Sequence, residues 1–129
     1  MNASLPQTFP QSHRLKSTAD FKRVYDRKRS VSDGVLLVYS CENGLSHSRI
    51  GLSVSRKVGG AVVRNRYKRL YREAFRLTQH QLPSGLDFVL IPRSAPEPPS
   101  LEILLLSLVK LAHDAARKLG PPRKRGGES

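Results

Sequence analysis

The sequence predicts an α/β fold, an α+β sandwich in which about four strands form one sheet packed by three helices, in the order α-β-β-β-α-β-α. Three observations carry this. Ile50, Leu52 and Val54 alternate with Arg49, Gly51 and Ser53, the period of a strand with one buried face. From Ala61 the period changes: Val63, Tyr67, Leu70, Ala74 and Leu77 recur at helical spacing. Phe88-Val89-Leu90-Ile91 then forms a short unbroken apolar run, a strand buried on both faces that follows a helical crossover as a parallel strand does.

The elements follow in chain order. Ser17 is placed to cap the N–H of Asp20, whose carboxylate can reach back, and a helix is expected from about Thr18 to Arg29. Its apolar residues Phe21, Val24 and Tyr25 fall at i, i+3 and i+4. Ser30-Val31-Ser32 is a short candidate strand, and Asp33-Gly34 a turn before the strand formers Val35-Leu36-Leu37-Val38-Tyr39. Asn43-Gly44 is a hairpin signal in a rather long loop. Gly59-Gly60 precedes the long helix and Leu82-Pro83-Ser84-Gly85 ends it. Pro92 to Pro99 reads as a surface linker, after which Ser100 caps a helix to about Leu119. Its broad apolar face comprises Leu101, Leu104, Leu105, Leu108, Leu111, Ala112 and Ala115.

These 129 residues fit one domain, expected over residues 14–119, with disordered tails at 1–13 and 120–129, the second carrying Arg123-Lys124-Arg125. The net charge of +13 points to a polyanionic partner. Most of the excess lies in two stretches: seven basic residues against two acids from Arg14 to Arg29, and nine against Glu73 alone from Arg49 to Arg76. The single cysteine, Cys41, excludes an intramolecular disulfide and fits a reducing, cytoplasmic setting. Neither a signal peptide nor a membrane span is expected, because the start lacks a basic segment leading into an apolar run and Leu101 to Leu111 carries Glu102 and Lys110. No obligate protein partner is evident.

A nuclease that works by its own side chains needs clustered carboxylates for metal ions or a histidine acid/base pair. The ten acids are dispersed, and His13, His47, His80 and His113 lie in a tail, a loop, a helix end and the last helix without ligand spacing. Gly59-Gly60 lacks the Lys-Ser or Lys-Thr pair of a nucleotide loop. A binder whose chemistry is supplied elsewhere is the reading that remains, with no catalytic residue and no metal ligand assigned to the protein.

The candidate RNA-binding residues are Arg56, Lys57, Arg64, Asn65, Arg66, Lys68, Arg69 and Arg72. Guanidinium groups donate two parallel hydrogen bonds to phosphate and stay charged. Arg64, Lys68 and Arg72 lie one turn apart and can meet successive phosphates. A solvated charged face would normally intersperse Glu to relieve repulsion, and here Glu73 stands alone. Phe75 projects on the basic side of its helix and is not assigned to RNA.

The stretch from Gly51 to Arg69, with Ser53-Val54-Ser55-Arg56-Lys57 leading to Arg64-Asn65-Arg66-Tyr67-Lys68-Arg69, closely resembles the pattern of the bacterial ribonuclease P protein subunit family. Arg72-Glu73-Ala74-Phe75-Arg76 looks like its continuation. The likeness extends over about residues 14–119 through Arg14-Leu15, Asp20-Phe21, Tyr39, Gly85-Leu86-Asp87 and Arg93. It implies a left-handed β-α-β crossover around the Arg64-Asn65-Arg66 helix, against the common right-handed preference. It also implies two RNA partners, ribonuclease P RNA and precursor tRNA, and hydrolysis by the RNA subunit with Mg²⁺ that this RNA mainly binds. In the family a cleft between first helix and sheet holds the single-stranded 5′ leader, and Phe21, Tyr25 and Tyr39 match its aromatic lining.

Aromatic side chains stack the bases of single strands. The spacing of Phe21 and Tyr25 supports core packing equally well, and Phe21 stands evenly between the two roles. A structural RNA binder of the ribosomal-protein kind would carry equal charge without touching a substrate, and specific stimulation of precursor tRNA cleavage separates the two. A DNA-architectural protein would have to prefer duplex DNA in competition.

Overall fold

The computed structural model describes residues 11–93 and 97–120. The basic run at Arg123 and most of both expected tails therefore lie outside the described residues. Ahead of the expected domain start at Arg14, Gln11–His13 already forms a 3-10 turn.

Ser17 caps the first helix as expected, its hydroxyl accepting from the Asp20 N–H at 3.0 Å. Helix α1 spans Thr18–Asp26, about a turn shorter than the periodicity suggested. Lys28 takes a φ of 57° just beyond it, and this left-handed residue turns the chain into β1, Ser30–Ser32. Asp33 then builds the turn: one carboxylate oxygen accepts from the N–H groups of Val35 and Leu36 at 2.8 and 2.9 Å. Strand β2 is Leu36–Glu42, β3 is Arg49–Leu52, helix α2 is Ala61–Thr78, β4 is Leu86–Pro92 and helix α3 is Leu101–Leu119.

The sheet order is β1-β2-β4-β3, with β2 antiparallel to β1 and β4, and β3 parallel to β4. The Asn43-Gly44 hairpin signal is therefore corrected: β2 and β3 do not pair, because β4 lies between them. Asn43 instead ties the loop to β4, its N–H donating to the Gly85 carbonyl at 3.0 Å and its side-chain amide to Asp87 Oδ1 at 2.9 Å.

The hand of the β3-α2-β4 crossover follows from L-chirality. Odd residues of β3 turn their backbone towards β4, as the Ser53 N–H does in donating to the Leu90 carbonyl at 3.0 Å. The same parity carries its side chains to the α1 face: Arg49 reaches Asp87, and a Cβ on Gly51 would meet Phe21. With α2 on the opposite face, only a left-handed crossover satisfies both, as the family resemblance implied.

The sheet thus has two covered faces. On one, Leu36, Val38, Ile50, Phe88 and Leu90 pack with Tyr67, Tyr71 and Phe75 of α2 and Leu104, Leu108 and Leu111 of α3. On the other, Leu15, Val24, Cys41 and Val89 form a smaller core, with Phe21, Tyr25, Tyr39 and Ile91 partly buried around it. The expectation that β3 buries one face only is corrected here, since Gly51 is buried beneath α1.

Helix α2 also sits differently from its expected stripe. Tyr67, Tyr71, Ala74, Phe75 and Thr78 are its buried residues, while Val63 and Leu70 lie at the core margin. The core face is rotated by about 60° about the helix axis from the predicted one. Phe75, placed by projection among the cations, is 1% exposed. Two large aromatics at Tyr71 and Phe75 bury more apolar area than Leu70 and Leu77 could, and that difference turns the helix.

Candidate nucleic-acid interface

The rotation of α2 leaves its cations on the outer surface. Asn65, Arg66, Arg69 and Arg72 are exposed, and Arg64 and Lys68 are partly so at the edge of the core face. Arg64 is steadied by its Nε–H donating to the Gly59 carbonyl at 3.2 Å. Arg56 and Lys57 stand exposed on the 3-10 turn that leads into the helix, where the Ser55 hydroxyl accepts from the Lys57 N–H at 3.3 Å. Gly59 at φ 155° makes the bend between turn and helix. The eight expected residues therefore lie along one continuous stretch from the 3-10 turn to the middle of α2.

The ion pairs fall elsewhere. Lys22 pairs with Asp26, Arg27 with Glu42, and Arg23 and Arg49 both with Asp87. Among the described residues none of Arg56, Lys57, Arg64, Arg66, Lys68, Arg69 or Arg72 has a carboxylate partner. Of the seven cations in the first basic stretch, Lys22, Arg23 and Arg27 are thus paired. In the second, Arg49 and Arg76 are paired, Arg76 holding Glu73 at 2.6 Å, and the other seven have no carboxylate partner among the described residues.

Two contributors went unassigned in the sequence. Arg14 and Arg76 join Asn65, Arg69, Arg72 and Glu73 around an open cleft of about 360 Å³. Arg14 arrives there because its segment runs along the free edge of β3, where the Leu15 N–H donates to the Ile50 carbonyl at 2.8 Å. Nothing local in the sequence signals that pairing. Arg76 was legible in projection, one helical turn beyond Arg72.

On the opposite side of the sheet the three expected aromatics come together. Tyr25 and Tyr39 meet edge to face with ring centroids 5.1 Å apart. Phe21 lies against the backbone of β3: a Cβ on Gly51 would fall 2.5 Å from its Cζ. Ile91 joins them from β4, unmarked in the sequence because its run read as wholly buried.

This arrangement is anchored by Asp87, whose side chain is fully buried. Arg49 donates to it at 2.9 and 2.7 Å, Asn43 at 2.9 Å, and Arg23 adds a further ion pair from α1. Burial alone would raise the pKa of this carboxyl, but the hydrogen bonds from Arg49, Asn43 and Arg23 and the adjoining charge outweigh it and hold the value below the ordinary one. Asp87 is thus an ionised pin between α1, β3 and β4.

An unpaired cationic helix face on one side of a four-stranded sheet and half-buried aromatics under a short helix on the other define a single-domain polyanion-binding protein. Comparison with known proteins makes this specific. The ribonuclease P family profile matches residues 9–116, and the chain belongs to that family. It is 43% identical over 100 residues to the ribonuclease P protein component of Brevibacillus brevis, covering 77% of this chain and 79% of that one. With the corresponding component of Caldanaerobacter subterraneus subsp. tengcongensis it shares 42% over 98 residues, covering 76% and 84%. Among solved structures, the RNase P protein of Staphylococcus aureus superposes with a TM-score of 0.69 at 35% identity, covering 80% of this chain and 94% of that one. The Thermotoga maritima RNase P protein gives 0.71 at 31%, covering 78% and 96%. The chain is accordingly a protein subunit of the ribonuclease P ribonucleoprotein, acting in tRNA processing as part of that assembly.

Proposed function

We propose that this subunit binds ribonuclease P RNA through Arg56, Lys57, Arg64, Asn65, Arg66, Lys68, Arg69 and Arg72. Phe21, Tyr25 and Tyr39 then receive the single-stranded 5′ leader of precursor tRNA, so that the leader is removed to give the mature 5′ end. The observation that supports this most is the set of cations on and before α2 without a carboxylate partner among the described residues. Phosphate oxygens supply the negative charge that the protein does not. Tyr25 and Tyr39 keep partly open rings on the other face, suited to stacking a splayed base.

The carboxylates among the described residues do not gather into a magnesium site. Asp87 is saturated by Arg49, Asn43 and Arg23, and Glu73 by Arg76. Among the described residues no three His, Cys, Asp or Glu side chains gather to hold a metal ion. The Mg²⁺ of the reaction is assigned to the RNA subunit, and with it the hydrolysis. No described helix is long and apolar enough to cross a membrane. The cytoplasm is the proposed setting, in keeping with one unpaired, buried Cys41.

The test is gel-resolved cleavage of precursor tRNA across a Mg²⁺ titration with protein, a transcribed bacterial ribonuclease P RNA, or both. The protein alone is expected to leave the substrate intact and, with the RNA, to lower the Mg²⁺ needed, because its cations screen repulsion between two polyanions. An unchanged Mg²⁺ requirement would overturn this reading.

A further inference from the structure

Three of the four histidines, far apart in sequence, line one cavity of about 480 Å³: His13 from the first turn, His47 from the β2-β3 loop and His80 from the turn after α2. The rings of His13 and His47 lie 4.2 Å apart at 36°. Ser12 holds one nitrogen of each. His13 Nδ1 is 3.1 Å from its hydroxyl, and His47 Nε2–H donates to its carbonyl at 3.0 Å. His13 Nε2 and His47 Nδ1 have no hydrogen-bond partner among the described residues. With its proton on Nε2, a neutral His47 turns a lone pair from Nδ1, and only the imidazolium can donate there to an anion.

The surroundings favour an anion. The rest of the described lining is Ser46, Ser48, Phe75, Gln79, Leu82, Pro83 and Ser84, with no carboxylate among them. The charged groups nearest in the chain are Arg14, which follows His13; Arg76, beside the lining residue Phe75 and paired with Glu73; and Arg49, beside Ser48 and held by Asp87. The carboxylate that reaches the loop, Asp87 through Asn43, is already held by Arg23 and Arg49. Arg14 and Arg76 line the basic cleft on α2 and are the chain neighbours of His13 and Phe75 in the histidine cavity, so the two openings adjoin near the end of α2.

We infer that the His13-His47-His80 cavity is a phosphate-binding subsite of the RNA interface, and that its histidines take up protons as RNA phosphate enters. Burial, and the charge of His47 beside it, lower the His13 pKa from its ordinary value, so in the free protein this ring is neutral at neutral pH. A phosphate beside the ring favours the imidazolium against both effects, and binding then strengthens as pH falls towards about 6.5 and below. The inference rests on the RNA-binding reading above and deepens it.

The experiment measures binding of a transcribed bacterial ribonuclease P RNA to the full chain at fixed ionic strength. Wild-type affinity is expected to fall about three- to tenfold from about pH 6 to about pH 7.5, the response to roughly one linked proton or less. Calorimetry in two buffers of different protonation enthalpy should register the same proton uptake directly. His13→Gln with His47→Gln, and separately the exposed His80→Gln, should flatten the profile; His113→Gln on α3 should retain the full slope. No proton uptake by wild type, or the same uptake in the double variant and in His80→Gln, would overturn the subsite. Absence of RNA binding at every pH would overturn the RNA-binding reading itself, a result distinct from binding without proton uptake.

Discussion

Arg49 and Asp87 face each other across the parallel β3-β4 ladder at the same register, joined by Nε to Oδ1 at 2.9 Å and Nη2 to Oδ2 at 2.7 Å. Arg23 reaches the same carboxylate from α1, so this contact fixes the helix that carries Phe21 and Tyr25. Asp87→Asn leaves two guanidinium groups without their shared anion and should cost about 3 to 5 kcal/mol in urea unfolding. The pH dependence supplies a second readout. Because the folded pKa of Asp87 is lowered, its contribution is complete above the unfolded value of about 3.9 and is lost as pH falls through the folded value. The variant should lack that part of the acid-side slope, whereas wild-type slope in the variant would remove Asp87 from this role.

The cationic face predicts a steep salt dependence of RNA binding. Each single-strand phosphate neutralised contributes about 0.7 to the slope of log K against log salt. Arg64→Ala with Arg66→Ala should lower that slope by about 1.4 if each meets one phosphate, while Lys16→Ala, outside the α2 face, should change it by less than half as much. Filter binding across a salt series distinguishes the two. Equal losses would mean that diffuse charge, rather than α2, makes the contact.

The sequence shows the cations of α2 more readily than the face they occupy. Capping and turn residues placed the elements well: Ser17, Asp33 and Ser100 all make the local hydrogen bonds their types suggest. What escaped was tertiary. Periodicity put Leu70 and Leu77 on the core stripe and Phe75 among the cations, although Tyr71 and Phe75 took the core. The Asn43-Gly44 turn chemistry was real, with the side-chain Oδ1 of Asn43 accepting from the Leu45 N–H at 2.7 Å, but no local signal could say that β4 would enter between the strands it connects. Arg14 joins the basic cleft by the same kind of long-range pairing.

Gly51 explains how α1 can approach the sheet. A Cβ there would lie 2.5 Å from Phe21 Cζ and 3.0 Å from Leu15 Cβ, the second atom being too near its own backbone to swing aside. Gly51→Ala should therefore destabilise the fold by about 1 to 3 kcal/mol and displace the Phe21 ring. Phe21→Leu in the same chain should recover part of the loss, giving a coupling of at least about 0.5 kcal/mol in a double-mutant cycle. Strict additivity would show that Leu15 alone bears the clash.

Tyr39 offers the sharpest test of the aromatic face. Its ring is partly buried against Tyr25 over Val89 and Cys41, on the side of the sheet away from α2 and α3, so truncation leaves the main core intact. Only precursor tRNA presents unpaired 5′ bases to such a surface; the mature tRNA ends at its paired stem. In complex with ribonuclease P RNA, Tyr39→Ala should weaken precursor binding by about 1 to 3 kcal/mol, roughly five- to 150-fold, and mature tRNA binding by less than about twofold. Tyr39→Phe keeps the ring and should retain most of the affinity. A parallel loss for precursor and mature tRNA would place Tyr39 in the support of the fold or at the RNA-subunit contact, and the leader would then have to be held elsewhere.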